Sequence, residues 1–220
     1  NAFSKRDTAS ATQWMSLIGT LQAQAAFIPL GRLRVRPLQF HLSREWSQAS
    51  QPKHALVSVP TWVKDLLFWW KKDSNLSVGV PLRNPPVTHR LFTDASNQGW
   101  GAHLGDDTCQ GEWAPEEESL HINCLEMRAV RYALQTFHLP HNANVLASTD
   151  NTTVVAYINR QGGTRSCILW KETLSLFQVV MSMGIQLVAR YIPGKLNVIA
   201  DDLSRRGQIL PTEWSLHRDV

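Results

Sequence analysis

Four acidic residues of this 220-residue chain stand where folding alone does not favour them. Asp94 ends an apolar strand-like run, Glu126 lies on the apolar face of a helix, Asp150 ends a second strand-like run, and Asp201 lies in a carboxy-terminal helix. A carboxylate buried without a partner is costly or loses its charge, so such positions require a cation, a donor network or a metal. Carboxylates from different elements suit a hard divalent ion such as Mg²⁺, which His and Cys clusters do not. Two such ions about 3.5–4 Å apart activate a water and stabilise the leaving oxygen in an in-line attack on a phosphodiester. The set therefore reads as a two-metal nuclease centre, with Mg²⁺ as the cofactor and Mn²⁺ as the alternative ion.

The elements that must position these acids follow from periodicity. Ile122, Leu125, Ala129, Val130, Ala133, Leu134 and Phe137 recur at helical spacing, and Glu126 falls inside that stripe. The competing reading is an ion pair of Glu126 with Arg128, Arg131 or a distant Lys. Asp94 closes the run 90–94 and Asp150 closes 144–150, both of strand character. The carboxyl ends of neighbouring strands converge on one crevice in sheets covered by helices. Taken singly, Asp150 also fits a helix N-cap and Asp94 a turn residue before 95–99. In 196–206 the apolar residues Leu196, Ile199, Ala200 and Leu203 leave Asp201 and Asp202 on opposite flanks, and periodicity does not choose between them.

Several strings carry a family resemblance. Thr93-Asp94-Ala95-Ser96, Glu126 in its helix, Ser148-Thr149-Asp150-Asn151 and the run from Asn197 to Arg205 together resemble the RNase H domain of retroelement reverse transcriptases. More narrowly, His121-Ile122-Asn123, Asp150-Asn151-Thr152-Thr153 and the run from Tyr157 to Ser166 resemble DIRS-type retrotransposons. The resemblance is dense over 75–206 and looser before it. It implies that Asp94, Glu126, Asp150 and Asp201 are the catalytic, metal-binding acids. Asp201 is chosen over Asp202 because the family's functional acid directly follows Ala in Ala-Asp-x-Leu-Ser-Arg. It also implies an α/β, RNase H-like fold: a five-stranded mixed sheet with helices on both faces, preceded by a small helical segment. Strands are expected at 90–94, 99–104, 110–114, 145–149 and 185–192, and helices at 123–137, 151–160, 166–183 and 196–206. Relatives carry a His in the loop before the last helix. Here that loop is 191–195, with Lys195 as the nearest candidate for a phosphate contact, so slower turnover is expected.

The implied substrate is an RNA·DNA hybrid, whose RNA strand presents 2′-hydroxyls along a wide, shallow minor groove. Ser96, Asn123 and Asn151 flank the acids and are the candidates for reading those hydroxyls. A catalytically inactive, nucleic-acid-binding scaffold of the same fold is the alternative, and the presence of all four acids argues against it. A DNA-directed integrase or transposase core is a further alternative, disfavoured by the Glu in the first long helix and by the terminal string.

Composition fits this picture. With 43% hydrophobic and 18% charged residues the chain can bury one good core and a smaller helical appendage. Residues 1–85 hold 11 basic and 4 acidic side chains, whereas 86–220 hold 11 basic and 14 acidic, so a basic half precedes an acidic one. The basic half suits phosphates and the acidic half suits metal. The expected domains are a thumb- or connection-like helical segment at 1–85, a nuclease domain at 86–207 and a tail at 208–220. Helices are expected at 12–27, 38–46 and 59–71. Between the first two, Arg32, Arg34 and Arg36 alternate with apolar residues and are candidates for tracking a hybrid's backbone, against a solvated helix edge as the competing reading. The Trp residues are expected in the core.

No Tyr-x-Asp-Asp string of a polymerase palm occurs, and the chain does not begin with Met. It is expected to be a fragment whose partners are the palm and fingers of a larger reverse transcriptase, with no membrane association. Cys109, Cys124 and Cys167 are too few and dispersed for a zinc site or a disulfide framework. They suit a reducing, intracellular setting, cytoplasmic or nuclear. His121 is expected to make a structural hydrogen bond, Glu116-Glu117-Glu118 to form a solvated loop, and Gly162-Gly163 to stop a helix.

Overall fold

The computed structural model describes residues 2–81 and 85–205, without the side chains of Ala2 and Ser4. The chain divides into two compact units, Asn1–Pro85 with Arg160–Trp170, and Pro86–Asn159 with Lys171–Val220. The expected tail at 208–220 and the last residue of the expected final helix, Arg206, lie outside the described residues.

In the first unit α1 (Ala2–Lys5), β1 (Thr8–Ser10), α2 (Ala11–Ala25), α3 (Gly31–Glu45), β2 (Leu56–Ser58), α4 (Thr61–Trp69) and α5 (Asp73–Leu76) follow in order. Ser10 and Gln13 form a reciprocal capping box that starts α2. The strands β1 and β2 pair antiparallel, and Trp14, Leu38, Val57 and Val63 fill the core between them and the helices. Helix α3 begins well before the expected Leu38 and includes Arg32, Arg34, Arg36 and Pro37. The proline stop signal yields because Val35, Leu38 and Leu42 pack on either side of it into one buried core.

The second unit contains β3 (His89–Ala95), β4 (Gly99–Leu104), β5 (Asp107–Glu112), α6 (Ile122–Thr136), β6 (Asn144–Thr149) and α7 (Thr152–Asn159). They are followed by α8 (Cys167–Met183), β7 (Gln186–Tyr191), a 3₁₀ turn (Gly194–Leu196) and α9 (Val198–Ser204), with the first residues of α8 counted in the first unit. The sheet is five-stranded and mixed, in the order β5-β4-β3-β6-β7. The β3–β4 and β4–β5 pairs are antiparallel, while β3–β6 and β6–β7 are parallel.

This is the α/β architecture that the resemblance implies, and helices cover both sheet faces. Trp100 on β4 packs against Tyr132 of α6. The next residue, Gly101, points the opposite way and meets α9, where a Cβ would stand 2.5 Å from the Ala200 carbonyl oxygen. β5 begins at Asp107, ahead of the expected residue 110, because Leu104 pairs with Asp107 across the two-residue connection Gly105-Asp106, with Gly105 at φ 62. Among the described residues no helix is long and apolar enough to cross a membrane.

Candidate metal centre

Three of the four sequence-chosen acids meet at one point. Asp94 near the end of β3, Glu126 on α6 and Asp150 just after β6 each offer a carboxylate oxygen, and these oxygens lie within 4.8 Å of one another. The parallel register of β3 and β6, in which Phe92 pairs with Ser148, brings the two strand-end acids side by side. Helix α6 packs on β3 and β4 and inserts Glu126 from above that point. A cavity of about 440 Å³ opens over the cluster and is lined also by Asn123, Asn151, Asp201 and Arg205.

Asp201 thus lines the same cleft but stands outside the tight cluster, its Oδ1 accepting from Arg205 Nε at 2.8 Å. Asp202 is exposed and does not line the cleft.

The competing readings of single residues fail in physical terms. Glu126 is 4% exposed and forms no ion pair among the described residues, because Arg128 pairs with Glu117 and Glu172 and Arg131 reaches Glu172. Its hydrogen-bond donor is the Thr149 hydroxyl at 3.3 Å. The cap of α7 is Asn151, whose Oδ1 accepts from the Thr153 and Val154 amides, so Asp150 is not the cap. The β3–β4 turn is organised by Ser96, whose hydroxyl accepts from the Gln98 and Gly99 amides and donates to the Ser204 carbonyl at 2.7 Å. Asp94 is therefore not spent on the turn.

Electrostatics mark the cluster as a place for positive charge. Burial raises the Asp94 carboxyl to about 6, and the Asp201 and Asp150 charges add to it against the Ser204 hydrogen bond and the Arg205 charge. Burial, Asp94 and Asp150 push Glu126 well above the usual carboxylate range, opposed by the Thr149 hydroxyl. Three oxygen donors gathered at one point, without a Lys or Arg ion-paired to any of them among the described residues, fit a hard divalent cation.

Other candidates separate. Asn123 and Asn151 line the cleft and join through Asn151 Nδ2 donating to Asn123 Oδ1 at 2.8 Å. Ser96 does not line it, and its hydroxyl is engaged in the turn. Lys195 sits exposed in the 3₁₀ turn beside Gly194, where a Cβ would stand 2.8 Å from Asp150 Oδ2.

In the first unit, the Arg34 guanidinium stacks 3.8 Å over the Trp69 ring. Arg36 donates to Gln39 and to the Arg160 carbonyl. Both are half-buried and internally engaged, so only Arg32 of the three projects into solvent.

Sequence reading missed four supporting residues. Ser204 Oγ donates to Asp94 Oδ2 at 2.7 Å, Asn197 Nδ2 donates to the Thr93 carbonyl, Thr149 holds Glu126, and Arg205 holds Asp201. Ser204 and Arg205 belong to the terminal string itself, and their role was not read from it.

Glu117 also departs from expectation. It is 7% exposed rather than solvated, and it accepts from Arg128, Tyr132 and the Ala114 amide. His121 does make a structural hydrogen bond, its Nδ1 accepting from the Asn123 amide at the start of α6. Of the Trp residues, Trp14, Trp46, Trp70, Trp100 and Trp113 are buried, but Trp62 is 41% exposed. Ile122, placed in the buried stripe by spacing, is 37% exposed and lines the cleft.

No protein-family model matches the chain. No curated protein matches it. Among solved structures, LC11-RNase H1 in complex with an RNA/DNA hybrid is similar over 53% of this chain and 93% of that one, at 17% identity and a TM-score of 0.43. RNase H1 from the halophilic archaeon Halobacterium salinarum is similar over 52% of this chain and 92% of its own, at 17% identity and a TM-score of 0.41. The N-terminal RNase H domain of a Mycobacterium tuberculosis protein, fused to maltose-binding protein, covers 53% of this chain and 91% of that one, at 14% identity and a TM-score of 0.40.

Proposed function

We propose that this chain is a divalent-metal-dependent nuclease that hydrolyses the RNA strand of RNA·DNA hybrids, as part of a DIRS-type retroelement reverse transcriptase. The observation that carries the nuclease reading is the convergence of Asp94, Glu126 and Asp150 from three elements, with ligand oxygens within 4.8 Å and no cationic side chain paired to them among the described residues. The retroelement context is supported by the strings that surround these acids, and it makes the palm and fingers of the same polyprotein the partners of this chain in an intracellular compartment.

Asp94, Glu126 and Asp150 would hold Mg²⁺ or Mn²⁺, with Asp201 across the cleft available to a second ion once it leaves Arg205. When bound, the metal supplies Lewis-acid stabilisation of charge and a more acidic water. The remaining work falls to the chain. Ser204 and Thr149 fix the orientation of Asp94 and Glu126, so that their oxygens do not reorganise when charge develops. The linked amides of Asn123 and Asn151 present fixed polar atoms at the cleft mouth, where an RNA 2′-hydroxyl would be read by position rather than by base.

The test is cleavage of a labelled RNA·DNA hybrid with Mg²⁺, beside the Asp150→Asn variant, double-stranded RNA and duplex DNA. RNA-strand cleavage confined to the hybrid and lost in the variant supports the reading. Tight, salt-dependent hybrid binding with no cleavage under any metal would replace it with the inactive scaffold.

A further inference from the structure

Helix α3 carries Arg32, Arg36, Phe40 and Arg44 at four-residue intervals, which sets them along one face over roughly 18 Å. Two hollows open along this face, both within the first unit. One, of about 290 Å³, is lined by Arg32, Arg36, Arg160, Gln22, Gln39 and Val35, with no carboxylate among them. The other, of about 510 Å³, includes Phe40, Arg44, Trp62 and Trp170.

The first hollow is built by a loop that arrives from far along the sequence. Leu30, at the N-cap of α3, is left-handed at φ 54 and offers the helix no side-chain acceptor. Gln161 supplies one instead, its Oε1 accepting from the Arg32 amide at 3.1 Å and the Leu33 amide at 3.4 Å. Arg36 Nη2 donates to the Arg160 carbonyl at 2.9 Å and clamps the same loop. The turn is tight, with Gln161 at φ 54 and Gly162 at φ 95.

The outcome is three guanidinium groups around one hollow. Among the described residues neither Arg32 nor Arg160 pairs with a carboxylate. The like charges of Arg32 and Arg160 repel, and an oxyanion placed between them relieves that cost. The forked guanidinium matches a phosphate's oxygens.

The second hollow offers rings. Trp62 is 41% exposed, held edge-on to His41 with centroids 5.5 Å apart, so its ring is partly open to solvent. Phe40 and Trp170 line the same hollow with ring centroids 5.7 Å apart. An open aromatic face beside a basic side chain is the pairing on which nucleobases stack next to their phosphates.

We propose that this face of α3 is a binding track for a single nucleic-acid strand. A phosphodiester sits among Arg32, Arg36 and Arg160, and a neighbouring base stacks on Trp62 beside Arg44. The track lies in the first unit and does not depend on the nuclease reading.

The experiment is fluorescence anisotropy of a labelled oligouridylate and a labelled duplex with the full chain, over a salt series in EDTA, which keeps divalent metal out of the carboxylate cleft. Inorganic phosphate serves as competitor. The Arg32→Ala/Arg160→Ala variant is expected to bind the single strand at least tenfold more weakly, with its log–log salt slope smaller by about 1.4. Lys at both positions should restore most of that slope. Trp62→Ala should weaken single-strand binding roughly tenfold with the slope unchanged. Unchanged affinity and slope in the double Ala variant would overturn the proposal. So would duplex binding as tight as single-strand binding with Trp62→Ala silent, or displacement by inorganic phosphate at equal phosphate concentration, which would make the hollow a free-phosphate site.

Discussion

Replacing Asp94 by Asn is expected to stabilise the metal-free protein at neutral and higher pH while weakening its response to Mg²⁺. Asp94 is 5% exposed, and burial together with Asp201 and Asp150 raises its carboxyl from 3.8 to about 6. Across that window the folded protein binds more protons than the unfolded chain, so stability falls as pH rises through it. The penalty is absent below the window and complete above it, and Glu126, also raised by burial and by Asp94 and Asp150, contributes in the same direction. The Asp94 shift corresponds to ~3 kcal/mol at most. Solvent at the cleft mouth and the weaker hydrogen bond from Ser204 to a neutral amide reduce the expected gain to ~1–2 kcal/mol. For a chain of this size that is ~2–8 °C in the unfolding midpoint. The assay is thermal unfolding in EDTA between about pH 4 and 8, repeated with Mg²⁺. Mg²⁺ at a hundred times its dissociation constant should stabilise the parent protein by about 2.7 kcal/mol, and Asp94→Asn should lose at least half of that. A parent protein whose stability is flat over the window, or a variant that melts lower than the parent at pH 8 in EDTA, would refute the reasoning.

Other substitutions probe the supports of the centre. Arg128→Ala leaves Glu117 and Glu172 almost buried without their shared cation, and urea unfolding should show a loss of ~3–5 kcal/mol. Gly101→Ala drives a methyl into the Ala200 carbonyl and the α9 backbone, and should cost ~1–3 kcal/mol while reducing hybrid cleavage, because α9 carries Asp201. Asn151→Ala removes the cap of α7 beside Asp150 and should cost ~1 kcal/mol in unfolding experiments, with hybrid cleavage falling by more than stability alone explains. Arg205→Gln frees Asp201 from its ion pair, and Mg²⁺ titration followed by thermal shift should show a lower half-saturating concentration; an unchanged titration would remove Asp201 from the ligand set.

Periodicity alone placed the strands beside whose carboxyl ends Asp94 and Asp150 stand and put Glu126 on the apolar face of its helix. Each of those signals is local. An acid that interrupts an apolar stripe or closes a strand is visible by counting, because side-chain direction repeats with the element. The family resemblance then supplied the sheet and the choice of Asp201.

What remained hidden was everything that depends on partners distant in sequence. Whether Asp150 or Asn151 caps α7, and whether Asp94 or Ser96 makes the turn, is settled by which oxygen meets the amides, and both candidates have suitable side chains. The solvated loop expected around Glu117 instead pins to Arg128 and Tyr132, because α6 presents a cation and a hydroxyl that the loop's own sequence does not reveal. Arg34 and Arg36 alternate with apolar residues as a solvent-facing strip would, yet Trp69 covers one and the Arg160 carbonyl engages the other. Sequence determined which residues could hold a metal, since that is a matter of residue type and period. Tertiary structure decided which of them stand together, since distances between strand ends, and the burial and neighbouring charges that raise Asp94 and Glu126, exist only after the sheet has closed.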